Sequence, residues 1–313
     1  MFARWKSDRL MSRQKSEGRF PDDAACARHL VARRWPDGIV CPACGGRKAW
    51  ELGWVRPGWE CARCRRQTSA TTGTILHASY LSLKTWFLAA HICASHSKGM
   101  SALQLHAQLG IGRFKTAWLL LHQLRLAMVD PDRNPLETSV EIDETEMPFR
   151  SRQDMAVGRK GARSPVGKIF VLGAVELSAE GAPRRLCLAQ IPDGCSSTLR
   201  DFIARSVAPG AHGVTDGWLG YQNLPANSHE AHVVTGRKAH EVLVWTHRVF
   251  SNLKRWAMGV FHGLRKAHIL RHRDEFVFRW NRRRPTGHPC DCLPGIGVDL
   301  ASATYRDFVD QRA

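Results

Sequence analysis

The chain lacks any apolar run approaching the roughly 18–20 residues that a bilayer span needs. Its most apolar stretch, Trp86 to Ala94, contains His91. No secretory signal is legible either, because the N-terminal MFARWKSDRLMSRQKSEGRF is basic and has no apolar core. A cytoplasmic compartment and no membrane partner are the expectation. There, ten cysteines read as thiols or metal ligands rather than disulfides. Acidic side chains are scarce: 28 Asp and Glu stand against 46 Lys and Arg, a net charge of +18. That balance excludes an acidic, disordered chain. With 43% hydrophobic residues over 313 positions, the chain can bury more than one average domain core and fewer than three. The basicity therefore decorates a folded protein and points to a polyanion. Nucleic acid fits better than anionic lipid in a chain with 11 Trp and 15 His and no lipid anchor.

Four of the cysteines stand together. Cys41 and Cys44 form CPAC, Cys61 and Cys64 form CARC, and sixteen residues separate the pairs. Two thiolates two residues apart can turn onto one ion, and two such knuckles close a tetrahedron, so the spacing reads as a structural Zn2+ ribbon. Gly45 and Gly46 follow the first knuckle, where a tight turn needs positive φ. Between the pairs, Trp50, Leu52, Trp54 and Trp59 recur in a strand-like pattern. A thioredoxin-like redox site would need one pair in a βαβ setting. The remaining cysteines are scattered, and Cys290 and Cys292 flank Asp291; ordinary thiols are the default there.

Residues 21–35 read as a helix with Asp22 or Asp23 near its cap, Ser69 to Thr74 as a polar turn, and Leu81 to Ser95 as a helix. Residues 101–128 hold two apolar helical stripes broken by Leu109-Gly110-Ile111-Gly112, with Ser101 as a cap. Leu103 and Ala107 are expected to face inward on the first helix, and Phe114, Ala117, Trp118, Leu121 and Leu124 on the second. This is the helix-turn-helix pattern, and a plain helical hairpin is its alternative. Residues 129–137, VDPDRNPLE, mark a boundary.

Beyond it the texture changes. Ser139 to Asp143, Lys168 to Leu177, Arg185 to Ile191 and His212 to Thr215 read as strands, with a helix over about 195–207 before the last. A long basic loop fills 148–167, and helices follow over about 241–258 and 266–283. Three strands, a helix, a strand and a helix is the order of an RNase H-like core. In that fold the first and fourth strands are neighbours, so Asp143 and Asp216 can share divalent metal, with oxygen ligands suited to Mg2+ or Mn2+. A third carboxylate on the following helix is usual, yet residues 242–273 contain no Asp or Glu. The helix offers His247, Ser251 and Lys254 on one face, with Asn252 to the side and Glu241 at its start.

The strings WPDGIVCPACGG, CARCRRQTSATTGTIL, KTAWLLLHQLRLAM, EIDETEMPFR, VTDGWLGY, HRVFSNLKRW and DEFVFRWNRR resemble the zinc-ribbon, ISXO-type group of bacterial insertion-sequence transposases over nearly the whole chain. EIDET, and TDGWLGY with HRVFSNLK, carry the specific part of the likeness. The resemblance implies an α/β architecture: an N-terminal helical segment (1–36), a zinc ribbon (37–75), a helix-turn-helix region (76–130), an RNase H-like mixed-sheet catalytic domain (138–285) and a C-terminal tail (286–313). It implies a DDE-type recombinase that nicks transposon ends and joins the 3′-hydroxyl to target DNA. Asp143 and Asp216 take the aspartate roles with Mg2+ or Mn2+, and His247 aligns with the variable third position, followed by Lys254; Asn252 is the alternative. Glu275, Arg279 and Asn281 match the group's pattern, as structural or DNA-contacting residues. Expected contacts to double-stranded DNA are Arg63, Arg65, Arg66, Arg113, Lys115 and Lys254, with the 149–168 loop (Arg150, Arg152, Arg159, Lys160, Arg163) as a clamp and Arg282-Arg283-Arg284 as a second phosphate track. Pairing two transposon ends implies a homo-oligomer, and the setting is the bacterial nucleoid. The competing class is a catalytically decayed or domesticated transposase acting as a DNA-binding regulator. A zinc-dependent RNA-processing protein ranks below both, because no aromatic stacking motif of RNA modules is present.

Overall fold

The computed structural model describes residues 12–53, 57–96, 98–129, 134–150, 168–221, 228–231, 239–261, 264–265, 268–283, 300–301 and 303–309. It divides into two compact units, Met1–Val129 with Arg284–Gln311, and Asp130–Arg283 with Arg312–Ala313.

In the first unit, α1 (Arg13–Arg19), which the sequence reading missed, precedes α2 (Asp23–Arg34). Asp22 caps α2, its Oδ1 accepting from the Ala25 N–H at 2.7 Å. Asp23 serves another helix: its carboxylate accepts from the Leu83 and Lys84 N–H groups at 3.1 and 2.9 Å, at the start of α3 (Leu83–Ser95). One acidic pair thus satisfies orphan donors on two helices. Strands β1 (Ala49–Leu52), β2 (Gly58–Cys61) and β3 (Gln67–Ser69) form an antiparallel sheet in that order. Trp59 on β2 is buried edge-on against Trp35, with ring centroids 5.4 Å apart.

Helix α4 (Ala102–Leu109) begins with a capping box between Ser101 and Gln104 and ends at Gly110, which is left-handed at φ 61°. Helix α5 (Phe114–Leu126) follows. The expected inward stripe is corrected here. Leu103 and Ala107 on α4 and Phe114 on α5 are exposed, whereas Leu105 is fully buried. Ala117, Leu121 and Leu124 are buried as expected. A helix of eight residues carries too few apolar positions to fix its phase, and its neighbours chose Leu105. A short helix, α6 (Tyr305–Val309), in the segment read as a tail, packs Tyr305 and Phe308 on Trp118 and His122 of α5.

The second unit is built on strands β4 (Ser139–Arg150), β5 (Lys168–Leu177), β6 (Pro183–Ile191), β7 (His212–Thr215) and β8 (Ser228–Ala231), in the order β6-β5-β4-β7-β8. Pairing is antiparallel from β6 to β4 and parallel from β4 through β8. The mixed order and the adjacency of β4 and β7 are those expected of an RNase H-like core. Parallel pairing needs a crossover, and α7 (Ser196–Ser206) supplies it between β6 and β7. β4 runs seven residues beyond its expected end at Asp143. Its acids are poor strand formers, but pairing with β5 as far as Pro148–Lys168 outweighs propensity. The basic loop expected over 148–167 lies, from residue 151, outside the described residues.

Both sheet faces are covered. One core gathers Val140, Ile142, Leu172 and Ala174 with Leu199, Phe202 and Ile203 of α7. The other gathers Met147, Val171, Val175 and Leu188 with Val249, Phe250, Leu253 and Ala257, which belong to α9 (Val244–Phe261). That helix follows the one-turn α8 (Ala239–Val242). Strand β9 (Leu264–Arg265) pairs with the end of β4, and α10 (Ile269–Asn281) completes the layer. Of the residues implied by the resemblance, Glu275 is fully buried and paired with Arg279 at 2.7 Å. Asn281 brackets Leu186 of β6, accepting from its N–H at 2.7 Å and donating to its carbonyl at 3.1 Å. Arg283 is likewise structural: it donates to the Pro183, Arg184 and Trp280 carbonyls, so the expected phosphate track is corrected at that residue. Arg284 lies outside the described residues.

Gly173 sets how close α9 comes to the sheet. A Cβ there would stand 2.8 Å from Phe250 Cε1 and 3.1 Å from Leu188 Cδ2. Gly173→Ala should therefore overpack this face and cost about 1–3 kcal/mol. A fall in the urea midpoint of the full chain, with α-helical content retained, is the expected measurement; an unchanged midpoint would show that α9 yields freely.

Candidate functional site

The cysteine site is built by two similar turns. In the first, the Gly45 N–H bonds to the Cys41 carbonyl at 2.9 Å and the Cys41 N–H to the Gly46 carbonyl at 2.8 Å. In the second, Arg65 N–H bonds to Cys61 O at 2.9 Å and Cys61 N–H to Arg66 O at 3.0 Å. The residue after each second cysteine is left-handed, Gly45 at φ 70° and Arg65 at φ 58°. Arg65 pairs with Glu60 at 3.1 Å and lies over the Trp50 ring. The four sulfurs are within 4.8 Å of one another, with Cys41–Cys64 at 3.6 Å and Cys44–Cys61 at 3.5 Å. Tetrahedral zinc with bonds near 2.3 Å needs edges of about 3.8 Å, so the donor set fits Zn2+. Backbone N–H groups of Cys64 and Arg63 hold the Cys61 thiol down to about 6, toward the thiolate a metal requires. A Cβ on Gly46 would stand 3.3 Å from both Cys44 and Cys61 Sγ, which is why glycine occupies that place.

The second site lies where β4 meets β7. Register in the parallel pair runs Ser139–His212, Val140–Gly213 and Glu141–Val214. Asp143 lies two residues past the last position of β4 that pairs with β7, on the same face as Glu141, and Asp216 follows the end of β7 close enough for its charge to act on Asp143. Asp143 is 7% exposed on a strand covered on both sides. Burial, with the Glu144, Asp216 and Glu141 carboxylates around it, pushes Asp143 up to about 7. Glu144 is raised as well, first by burial, and accepts the hydroxyl proton of the buried Tyr221. A cation is the natural counterpart of such a cluster.

Helix α9 reaches this cluster with His247, whose Nε2 is 3.5 Å from Asp143 Oδ2. Lys254, two turns on, is half-buried; burial lowers its pKa against the pull of Glu146 and Asp143. Ser251 and Asn252 are exposed, as is Glu241 on α8. The described structure thus brings His247 and Lys254 to the Asp143 side. Among the described residues, the four cysteines are the one set of three or more His, Cys, Asp or Glu donors drawn within 4.8 Å of one another. Mg2+ or Mn2+ has carboxylate oxygens available on Asp143 and Asp216, a donor chemistry suited to hard cations.

The sequence reading missed what holds this geometry. Glu141, 5% exposed, reaches from β4 to the start of α9. Its Oε2 accepts from the Trp245 and Thr246 N–H groups at 2.9 and 2.8 Å and from the Thr246 hydroxyl at 3.2 Å. It is an N-terminal cap supplied by a distant strand. The alternation of Glu141 with Asp143 was the available signal. Of the expected DNA contacts, Arg63, Arg65, Arg66, Arg113 and Lys115 are exposed, and the Lys115 ammonium lies 3.8 Å from the Tyr305 ring centroid. Arg159 and Lys160, with Arg152 and Arg163, lie outside the described residues, as do Cys290 and Cys292; the side chain of Arg150 does also.

Comparison with known proteins finds a family match in each unit. Residues 135–281 match the ISXO2-like transposase domain family, and residues 21–67 match the transposase zinc-ribbon domain family. An uncharacterized protein in transposable element ISH50 of Halobacterium salinarum is 29% identical over 166 residues, 49% of this chain and 55% of that protein. The chain thus spans about half the length of that relative. No solved structure matches the chain. The kinship with insertion-sequence transposases implied by the motifs therefore holds in both units. No described helix is long and apolar enough to cross a membrane.

Two outcomes follow from these geometries. The purified chain should release about one zinc per polypeptide on thiol modification, and Cys61→Ser should remove it; equal zinc content in wild type and variant would overturn the site. Glu141→Ala, which strands two N–H groups at the head of α9, should cost about 1–3 kcal/mol in urea unfolding, with Glu141→Gln recovering part through its remaining carbonyl.

Proposed function

We propose that this relative of ISXO-type transposases is an active DDE-type DNA transposase, which binds the terminal inverted repeats of an insertion sequence and catalyses strand cleavage and strand transfer. The observation that carries the reading is the β4–β7 register. Its ends carry Asp143 and, one residue past β7, Asp216, whose charge acts on Asp143, and His247 is 3.5 Å from Asp143.

Asp143 and Asp216 would hold a divalent cation through their carboxylates, with His247 of α9 as the third donor. Mg2+ or Mn2+, when bound, activates a water or a DNA 3′-hydroxyl and stabilises the leaving oxygen of an in-line displacement. Lys254, on the same helix face, presents its ammonium to a phosphate beside the scissile one. Burial of Asp143 keeps competing water away from the carboxylate that positions the reacting group. The zinc ribbon and the α4–α5 pair grip the terminal repeat, mostly through phosphates, with Arg63, Arg65, Arg66, Arg113 and Lys115 as contacts. Each phosphate so neutralised should steepen the salt dependence of binding by about one unit of slope. Joining two ends to a target makes the working form a homo-oligomer on DNA.

The test uses the full chain, Mn2+ or Mg2+, and duplexes taken from the flanks of its gene. Wild type should cleave and join these ends, and Asp216→Ala should abolish both while still shifting the same duplex in a gel. Cleavage surviving in Asp216→Ala would overturn the assignment of the acids. Binding without cleavage by wild type in either metal would favour the regulator reading, for which the absence of Asp and Glu from α9 is the supporting feature.

A further inference from the structure

The turn after β7 holds an aromatic side chain that neither metal chemistry nor core packing uses. Asp216 Oδ1 accepts from the Trp218 N–H at 3.1 Å. Gly217 between them is left-handed at φ 82°, the conformation such an aspartate-led turn requires. The indole then lies against Gly220: a Cβ on that glycine would stand 2.7 Å from Trp218 Cδ1 and Nε1, and 2.8 Å from Leu199 Cδ1. Leu199 is fully buried, so the floor beneath the indole is fixed. Yet Trp218 is 54% exposed and Leu219 beside it 68%. A large aromatic left in water, on a rigid floor, two residues from a metal-ligand candidate, is a preformed flat apolar surface.

Nucleobases fit such a surface. They are planar and stack on aromatic faces whatever their sequence. The phosphates that would accompany them meet a chain of net charge +18, with Lys254 and His247 on the Asp143 side of the same site. In a paired duplex the base faces are occupied by their neighbours, so the surface is open only to a base that has left the stack.

We infer that Trp218 is a stacking platform for an unpaired nucleobase adjoining the scissile phosphate, so that this site works on a DNA end whose flank has opened, whether supplied open or opened from a duplex on binding. The inference rests on the transposase reading and adds to it the form of the substrate. Trp218 acts by holding the base and takes no part in the chemistry. Trp218→Phe keeps a smaller platform, and Trp218→Ala removes it.

The experiment measures binding and cleavage separately. Fluorescein-labelled end duplexes carrying a three-nucleotide single-stranded flank are made in two forms, one with bases and one abasic, and are bound to the full chain in Ca2+. Wild type should prefer the flank with bases by about tenfold, Trp218→Phe should keep part of that ratio, and Trp218→Ala should bring it near one. A 2-aminopurine in the flank should be quenched on binding wild type and stay bright with Trp218→Ala. Equal ratios in wild type and Trp218→Ala, or equal quenching, would overturn the platform. So would an unchanged ratio joined to an altered oligomeric state in Trp218→Ala, which would assign the patch to contact between copies. The transposase reading fails on a different result, namely no metal-dependent cleavage of the same ends by wild type.

Discussion

The parallel register between β4 and β7 is the constraint from which the acidic cluster of the second unit follows. Residues paired across parallel strands point to the same side of the sheet. The pairing of Glu141 with Val214 therefore sets where Asp143 stands and where β7 delivers Asp216, one residue past its end. A slip of one residue would turn one of the two carboxylates to the opposite core, among Val140, Ile142 and Leu199. That register is secured at its start. Glu176 of β5 accepts from the Glu137 N–H at 2.9 Å and forms a two-pronged pair with Arg185, whose guanidinium also bonds the Asn134 and Pro135 carbonyls. Arginine's fixed fork lets one side chain fasten the segment entering β4 to both β5 and β6.

Having two acids on one face is not enough, because a helix must come close enough to contribute. Gly173 removes the side chain that would stand under Phe250, and Glu141 bonds the first turn of α9 to β4. Glycine lets the helix close in and glutamate fixes its start, so His247 arrives beside Asp143 as a consequence of two residues that are not themselves donors. The geometry at 3.5 Å is thus a product of strand composition as much as of the helix sequence.

How much of this was legible differs by element. CPAC and CARC fixed the cysteine site from spacing alone, since two short turns leave the thiols little choice. Even so, Arg65 occupies the left-handed position that Gly45 fills in the first turn, and only tertiary pairing with Glu60 and Trp50 explains its tolerance there. Strands β4 to β7 were legible because hydrophobic runs such as KIFVLGAVEL read as buried strands, whereas the short edge strands β8 and β9 were not expected. The phase of α4 was not, because a two-turn helix leaves its inner face to its neighbours. The end of β4 was misread because EIDETEM looks polar, while Glu141 and Asp143 are buried and Glu144 and Glu146 are held by Tyr221 and Lys168: such partners are distant in sequence, and propensity does not register them. Glu141 as a helix cap lies in the same blind spot, more than a hundred residues from the N–H groups it serves.

The absence of a carboxylate on α9 follows from the same electrostatics. Glu141, Asp143, Glu144 and Asp216 already crowd one end of the β4–β7 pair, and together with burial they push Asp143 up to about 7. A further carboxylate at position 247, 3.5 Å from Asp143, would add a like charge at close range in a poorly solvated place. Two such groups resist simultaneous ionisation. An imidazole there adds no negative charge. Lys254, at i+7 on the same helix face, supplies positive charge farther from the acids, where its pKa is lowered by burial but raised again by Glu146 and Asp143. Beside a strand this acidic, histidine at 247 places a side chain 3.5 Å from Asp143 without adding another carboxylate to the cluster.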